Sequence, residues 1–145
     1  MPDDMHMNYL VRLRNMAEGM PIRFHVNIGE EELDAILSGS EFYWHATGIG
    51  ENIKINPERF EHFGISIVEA MRYGCVPIVP GYAGPLEILG EELKGLTFKD
   101  SKQFQEINKK LFDDENLVKF YKNKIIEKYN EFSYDRFVDE VKKII

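Results

Sequence analysis

Cysteine is nearly absent from this chain, with one, Cys75, among 145 residues. A lone thiol cannot close an intramolecular disulfide, which excludes a small disulfide-stapled scaffold and suits the cytoplasm. Long hydrophobic runs are missing as well. No apolar stretch approaches the roughly 20 residues that cross a bilayer. Residues 1–6 carry neither the basic region nor the apolar stretch of a signal peptide. Positive charge is also short, with 18 Lys and Arg against 25 Asp and Glu and a net charge of −7. That balance argues against nucleic acid as the main ligand and leaves no basic patch for anionic lipid. His, Cys and Asp do not cluster at metal-ligand spacing, so no metal is expected. There is no internal repeat and no low-complexity tract. What remains is 43% hydrophobic and 30% charged residues, the length and composition of one ordinary domain with a core.

Periodicity orders the chain. Residues 7–18 carry Met7, Leu10, Val11, Leu13, Met16 and Ala17 at helical spacing, and Gly19 stops the run. Residues 22–26 alternate and predict a strand. After Gly29, residues 30–37 predict a short helix with Glu30, Glu31 and Glu32 in its first turn, where the helix dipole favours acids. Residues 41–45 predict an aromatic strand. Residues 46–62 show no period and form a long loop, the kind of segment in which function concentrates. A helix over 63–73 leads into a strand over 76–79, with Pro77 expected near a strand end or at an unpaired position. Residues 81–85 are a turn, Pro85 can open a short helix, and 95–98 are a brief strand. The rest is helical: 102–112, 116–129, and a last helix capped by Ser133. Strands alternating with helices predict an α/β fold, a partial Rossmann-like parallel sheet of three or four strands with flanking helices.

The densest signal is Glu61-His62-Phe63-Gly64-Ile65-Ser66-Ile67-Val68-Glu69, followed by Ala70-Met71-Arg72-Tyr73-Gly74-Cys75-Val76-Pro77-Ile78-Val79. Two acids stand eight positions apart around an apolar run. Glu69, flanked by Ile67, Val68, Ala70 and Met71, reads as an acid inside an apolar helix, costly to bury without a partner, or as a surface acid on a helix less buried than it looks. Eight residues of α-helix rise about 12 Å, which sets the acids too far apart for a glycosidase pair.

At these residues the chain resembles family 4 of the GT-B-fold glycosyltransferases, retaining enzymes that use sugar nucleotides. The family's mark is Glu, seven residues, Glu, with Phe-Gly just after the first acid and Glu-Ala-Met from the second. Glu61, Phe63-Gly64 and Glu69-Ala70-Met71 stand in those places. Gly74-Cys75-Val76-Pro77-Ile78-Val79 matches the following Gly-x-Pro-Val segment with one residue added. Ala83-Gly84-Pro85-Leu86-Glu87, Gly95-Leu96 and Phe132-Ser133 match later segments. Trp44-His45-Ala46 with Glu61-His62-Phe63-Gly64 is similar to a subgroup with a longer loop before the first acid. The resemblance covers roughly residues 7–145. It implies the later part of a C-terminal, donor-binding domain. The acceptor domain, and the opening strand and helix with their diphosphate-neutralising Arg and Lys, would fall outside this chain.

The resemblance implies transfer of a hexose from a nucleoside diphosphate sugar to a hydroxyl of a sugar or lipid-linked acceptor, with retention. Glu61 would take the catalytic position, contacting hydroxyls of the transferred sugar, and no protein nucleophile is implied. Glu69 would bind the ribose hydroxyls, since a carboxylate accepting two hydroxyl hydrogen bonds reads a diol well. Between them the N–H groups of Phe63, Gly64, Ile65 and Ser66 would face the diphosphate at a helix N-terminus. The donor set is thus Glu61, His62, Phe63, Gly64, Ile65, Glu69 and Gly84, with no metal and no other cofactor. The full-length protein would be cytoplasmic or peripheral to a membrane. Against these stand plainer readings. His45 ends a strand, where α/β ligand sites collect, and reads first as a satisfied structural histidine and second as a ligand contact. His25 reads as structural and Cys75 as a small buried residue. Gly81, Ala83 and Gly84 are a turn or a base or sugar contact, Glu87 is structural, and residues 47–59 are an acceptor-side flap or a loop without a role. Rival functions are a non-catalytic nucleotide-sugar binding module, a structural domain, or a GT-B epimerase or phosphorylase.

Overall fold

The computed structural model describes residues 4–144; residues 1–3 and 145 lie outside that range. Contacts divide the chain into two units, Met1–Leu33 and Asp34–Ile145.

In the first unit, helix α1 (Asp4–Met16) ends in a turn that Gly19 completes with φ of 77°. The strand expected over residues 22–26 does not form. Its alternation is real, but it pairs with no strand among the described residues, and strand geometry alone leaves backbone donors and acceptors unsatisfied. Ile22 and Val26 are exposed. His25 Nδ1 lies 2.9 Å from Glu32 Oε1, a surface pairing consistent with a structural histidine. Helix α2 (Glu30–Ser38) opens on three acids as expected and runs into the second unit.

The second unit holds a three-stranded parallel sheet in the order β1 (Phe42–Trp44), β2 (Val76–Pro80), β3 (Thr97–Phe98). Helix α3 (Ile65–Arg72) is the crossover from β1 to β2, and α4 (Ala83–Leu89) lies in the crossover from β2 to β3. Helices α5 (Ser101–Asp113), α6 (Glu115–Tyr129) and α7 (Tyr134–Lys142) follow. Asp100, Asp114 and Ser133 cap these three through side-chain oxygens that accept first-turn N–H groups. The fold is therefore α/β with flanking helices, as the alternation predicts, and of the three or four strands expected three form among the described residues.

Every residue of β2 is buried. Its Val76, Ile78 and Val79 form one core with Ile67 and Met71 of α3, Ile88 and Leu89 of α4, Leu111 of α5, and Val118 and Ile125 of α6. Two prolines survive in this central strand because of where their nitrogens face. In a parallel ladder alternate residues bond opposite neighbours. Val76 N–H donates to Glu41 O and Ile78 O accepts from His45 N–H, so the even positions serve β1. Pro77 therefore faces β3, whose pairing begins only opposite Val79, and Pro80 faces β1 beyond its last paired residue. Neither lost donor had a partner to meet; Pro77 is in register with Tyr43 but its nitrogen faces away from β1, and it sits near the strand's end as expected. Cys75 is fully buried, with Sγ 3.2 Å from Leu37 O.

Candidate functional site

Both β-to-α connections of the sheet, β1 to α3 and β2 to α4, emerge at its C-terminal edge, where parallel α/β folds gather ligand sites. The first connection is long. It is pinned by Phe60, which is buried and meets the Tyr82 ring edge-on at 5.7 Å. Glu51 closes a local turn by accepting from Arg59 at 2.6 Å and Asn56 at 3.0 Å. Glu61 follows the Phe60 anchor directly.

Gly64 then starts α3 in the left-handed region, with φ of 81°. A Cβ there would also meet Ile88 Cδ1 at 2.7 Å and Ile67 Cδ1 at 2.9 Å. The left-handed start folds the Glu61 side chain back over the helix end. Its Oε1 accepts from Gly64 N–H at 2.9 Å and Phe63 N–H at 3.2 Å. These two amides, the Gly64 one foremost, hold the Glu61 carboxyl below the ordinary range. The expected row of four free N–H groups is thus reduced to two. The amides of Phe63 and Gly64 are taken by Glu61, and those of Ile65 and Ser66 have no acceptor among the described residues.

The other Glu61 oxygen, Oε2, lies 3.5 Å from His45 Nε2. That is ion-pair distance, but burial pushes the His45 pKa down, and Glu61 only partly opposes the shift. The neutral imidazole governs at neutral pH, so the contact is no salt bridge there. His45 is 9% exposed, and its Nε2 has no hydrogen-bond partner among the described residues. The expectation of a satisfied structural histidine is therefore corrected. Its ring lies over Tyr43, and Tyr43 Oη approaches Nδ1 at 3.4 Å while donating to Ser66 Oγ at 3.0 Å. Burial raises the Tyr43 pKa, keeping the phenol protonated.

Gly84 reaches this cluster from beneath. It is buried, its N–H donates to Glu61 O at 3.3 Å, and a Cβ would lie 2.9 Å from Phe63 N. Glycine is needed there for close approach of two backbones. His62 is exposed beside Glu61.

Glu69 belongs to a different surface. Ile67, Ala70 and Met71 are the buried face of α3, and at 100° per residue Glu69 falls opposite them. It is exposed, which corrects the expectation of an acid inside the helix. The 12 Å ruler also fails, because Glu61 precedes the helix and only Ile65 to Glu69 is helical, a rise of about 6 Å. Glu69 lines an open groove of about 370 Å³ with Phe63, Ile65, Val68, Arg72, Ile88, Tyr129 and Phe132. The structure thus brings Glu61, Gly64 and Gly84 to one cluster and Phe63, Ile65 and Glu69 to an adjoining groove. Tyr43 was missed from the sequence, and so was the hydroxyl of Ser66, of which only the amide was singled out. Their one signal was the i, i+2 spacing of Tyr43 and His45, which sets both on the same side of a strand.

Among the described residues no group of three or more His, Cys, Asp or Glu could hold a metal ion. None of the helices there is long and apolar enough to cross a membrane.

The model of the family described as "Glycosyl transferases group 1" matches residues 12–130. A glycogen synthase of Desulfitobacterium hafniense is 34% identical over 99 residues, 64% of this chain and 19% of the relative. A "GDP-Man:Man(3)GlcNAc(2)-PP-Dol alpha-1,2-mannosyltransferase" of Candida albicans is 40% identical over 65 residues, 45% of this chain and 9% of the relative. One of the same name from Dictyostelium discoideum is 29% identical over 140 residues, 92% of this chain and 25% of the relative. The chain thus spans a quarter or less of these relatives' length. No solved structure is significantly similar.

Proposed function

This chain belongs to the glycosyl transferases group 1 family, of GT-B type, whose chemistry is sugar transfer, and from that premise we propose that it carries the donor site of a retaining, family 4 enzyme. The donor is a nucleoside diphosphate hexose and the acceptor a hydroxyl of a sugar or lipid-linked glycan, bound mainly by a part of the protein outside this segment. The observation that carries the reading is the pairing of two acids with one helix N-terminus. Glu61 is locked ahead of α3 with one carboxylate oxygen free, and Glu69 lies in a groove a helical turn along.

In this reading Glu61 Oε2 accepts hydroxyls of the hexose, and Glu69 accepts the ribose diol between the apolar walls Phe63, Ile65 and Phe132. The amides of Ile65 and Ser66, at the positive end of α3, hold the diphosphate. Departure of the nucleoside diphosphate concentrates negative charge on it, and fixed donors at that point lower the barrier. His62 stands at the open edge beside the sugar, while Gly64 and Gly84 shape the loop. No metal and no protein nucleophile are invoked.

Ligand-observed NMR of this chain with UDP, GDP, ADP and their hexose conjugates tests the reading. Binding of one nucleotide, lost in Glu69→Ala, is the expected result. A folded chain that binds none of them overturns the assignment of the donor site to this segment.

A further inference from the structure

The least explained polar atom in the second unit is His45 Nε2. It is buried, it has no partner among the described residues, and it faces a carboxylate oxygen at 3.5 Å. The hydrogen-bond directions around it determine what it can do. Tyr43 Oη has one proton and gives it to Ser66 Oγ. A phenol that donates to Ser66 leaves its oxygen to accept at His45 Nδ1, 3.4 Å away, and that direction assigns the imidazole proton to Nδ1. The lone pair is then on Nε2. Glu61 Oε2, on an ionised carboxylate, is likewise an acceptor. Two acceptors therefore stand side by side at the C-terminal edge of β1, and the protein supplies a donor to neither.

Glu61 is half-buried and solvent can reach it, but His45 Nε2 is buried, and a buried acceptor without a donor is unfavourable in the free fold. It is kept here by constraints from three elements. The β1 backbone fixes His45 through its N–H to Ile78 O at 3.1 Å. The Tyr43–Ser66 bond ties the ring's partner to the first turn of α3. The amides of Phe63 and Gly64 fix Glu61.

We propose that His45 is a sugar-contacting residue: its Nε2 and Glu61 Oε2 form a two-acceptor clamp that takes two neighbouring hydroxyls of the donor's hexose. The inference rests on the donor-site reading above and deepens it. Two adjacent hydroxyls supply two protons at close spacing, which the clamp lacks. An acetylated or deoxygenated sugar lacks one of them, so the clamp selects for a free vicinal diol. Tyr43 and Ser66 are positioning residues that set the imidazole tautomer and do not touch the sugar.

The test compares a nucleoside diphosphate with its hexose conjugate, on wild type, His45→Phe, His45→Gln and Tyr43→Phe. Wild type binding of the bare nucleotide, sensitive to Glu69→Ala, reports on the donor-site reading alone. The clamp predicts that His45→Phe weakens the conjugate about tenfold, the scale of one well-formed hydrogen bond, and changes the bare nucleotide less than twofold. His45→Gln, which restores an acceptor near the Nε2 position, recovers part of the loss. In imidazole ¹⁵N spectra of wild type, the His45 Nε2 signal is that of an unprotonated nitrogen. It moves on adding the conjugate and not on adding the bare nucleotide. That spectrum needs no variant, so a misfolded His45→Phe does not blunt the test. Equal weakening of both ligands by a His45→Phe variant that keeps the wild-type fold, or an Nε2 signal indifferent to the sugar, overturns the clamp while leaving the donor site standing. If wild type binds neither ligand, both readings fall together.

Discussion

The two acids of the motif, one just before α3 and one on it, make the sharpest comparison in the molecule. Glu61 is held: two backbone amides, a neighbouring imidazole and the buried Phe60 before it leave its carboxylate one free oxygen and little freedom. Glu69 is loose: it is exposed on the outward face of α3, with apolar neighbours and no partner among the described residues. The same residue type thus does two jobs. The held acid is part of the architecture of the loop and commits one oxygen to a ligand. The loose acid costs the fold nothing and is free to serve a ligand with both oxygens. Stability and binding are therefore expected to separate at the two positions.

The largest effect is expected beneath the held end. In Gly84→Ala the new methyl meets the His62–Phe63 backbone, and backbone cannot rotate away as a side chain can. Denaturant unfolding should show a loss of about 3 kcal/mol, with the cluster around Glu61 displaced in NMR shifts. A wild-type-like midpoint would mean that the loop is not packed against α4.

Next is Glu61→Ala, which strands the amides of Phe63 and Gly64. We expect a loss of about 2 kcal/mol, together with loss of conjugate binding. Glu69→Leu gives the contrast: stability within about 0.5 kcal/mol of wild type, as for an exposed site, and loss of nucleotide binding. Equal destabilisation by both substitutions would erase the distinction drawn here.

Acidification sharpens the same contrast. The His45 pKa is lowered from 6.5, so the unfolded chain takes up a proton before the folded one does. Stability should be full above about pH 6.5 and fall below it, until the folded imidazole also protonates. The Glu61 pKa is lowered from 4.5. Its contribution is present above that value and is lost as pH falls through the lower folded one. The two act in the same direction in successive windows. Denaturant midpoints from pH 7.5 to 3 should show both. His45→Phe should flatten the upper window, and Glu69→Leu should leave both unchanged.

Smallest is the loop anchor. Arg59→Ala removes an exposed partner of Glu51. Stability should be indistinguishable from wild type, with faster amide exchange confined to residues 51–59. A change in nucleotide binding would show that this loop reaches the ligand.

Much of the molecule was legible from local pattern. Helices α2, α5, α6 and α7, the cap at Ser133, strands β1 and β2 and the placement of Pro77 all follow from spacing, capping chemistry and turn residues, which act over a few positions. The ordered motif from Glu61 to Glu69 and its family were legible for the same reason, since they lie in contiguous residues. Residues 22–26 misled because alternation reports a capacity to pair, and pairing depends on a neighbour from elsewhere in the chain. Glu69 misled because its neighbours in sequence are apolar, whereas its neighbours in space are set by which stripe of α3 the sheet covers.

The chain's own order of residues thus determined an α/β fold, a helix begun by a glycine, and two acids bound to that helix. The local turn spends Glu61 on the amides of Phe63 and Gly64, two and three positions on, whereas tertiary structure decided that Glu69 would be left in the open. It also decided that His45, sixteen positions before Glu61, would bring an unpaired nitrogen to within 3.5 Å of it. The reason is physical: propensity and periodicity are local, while the satisfaction of a buried polar atom depends on every element packed around it.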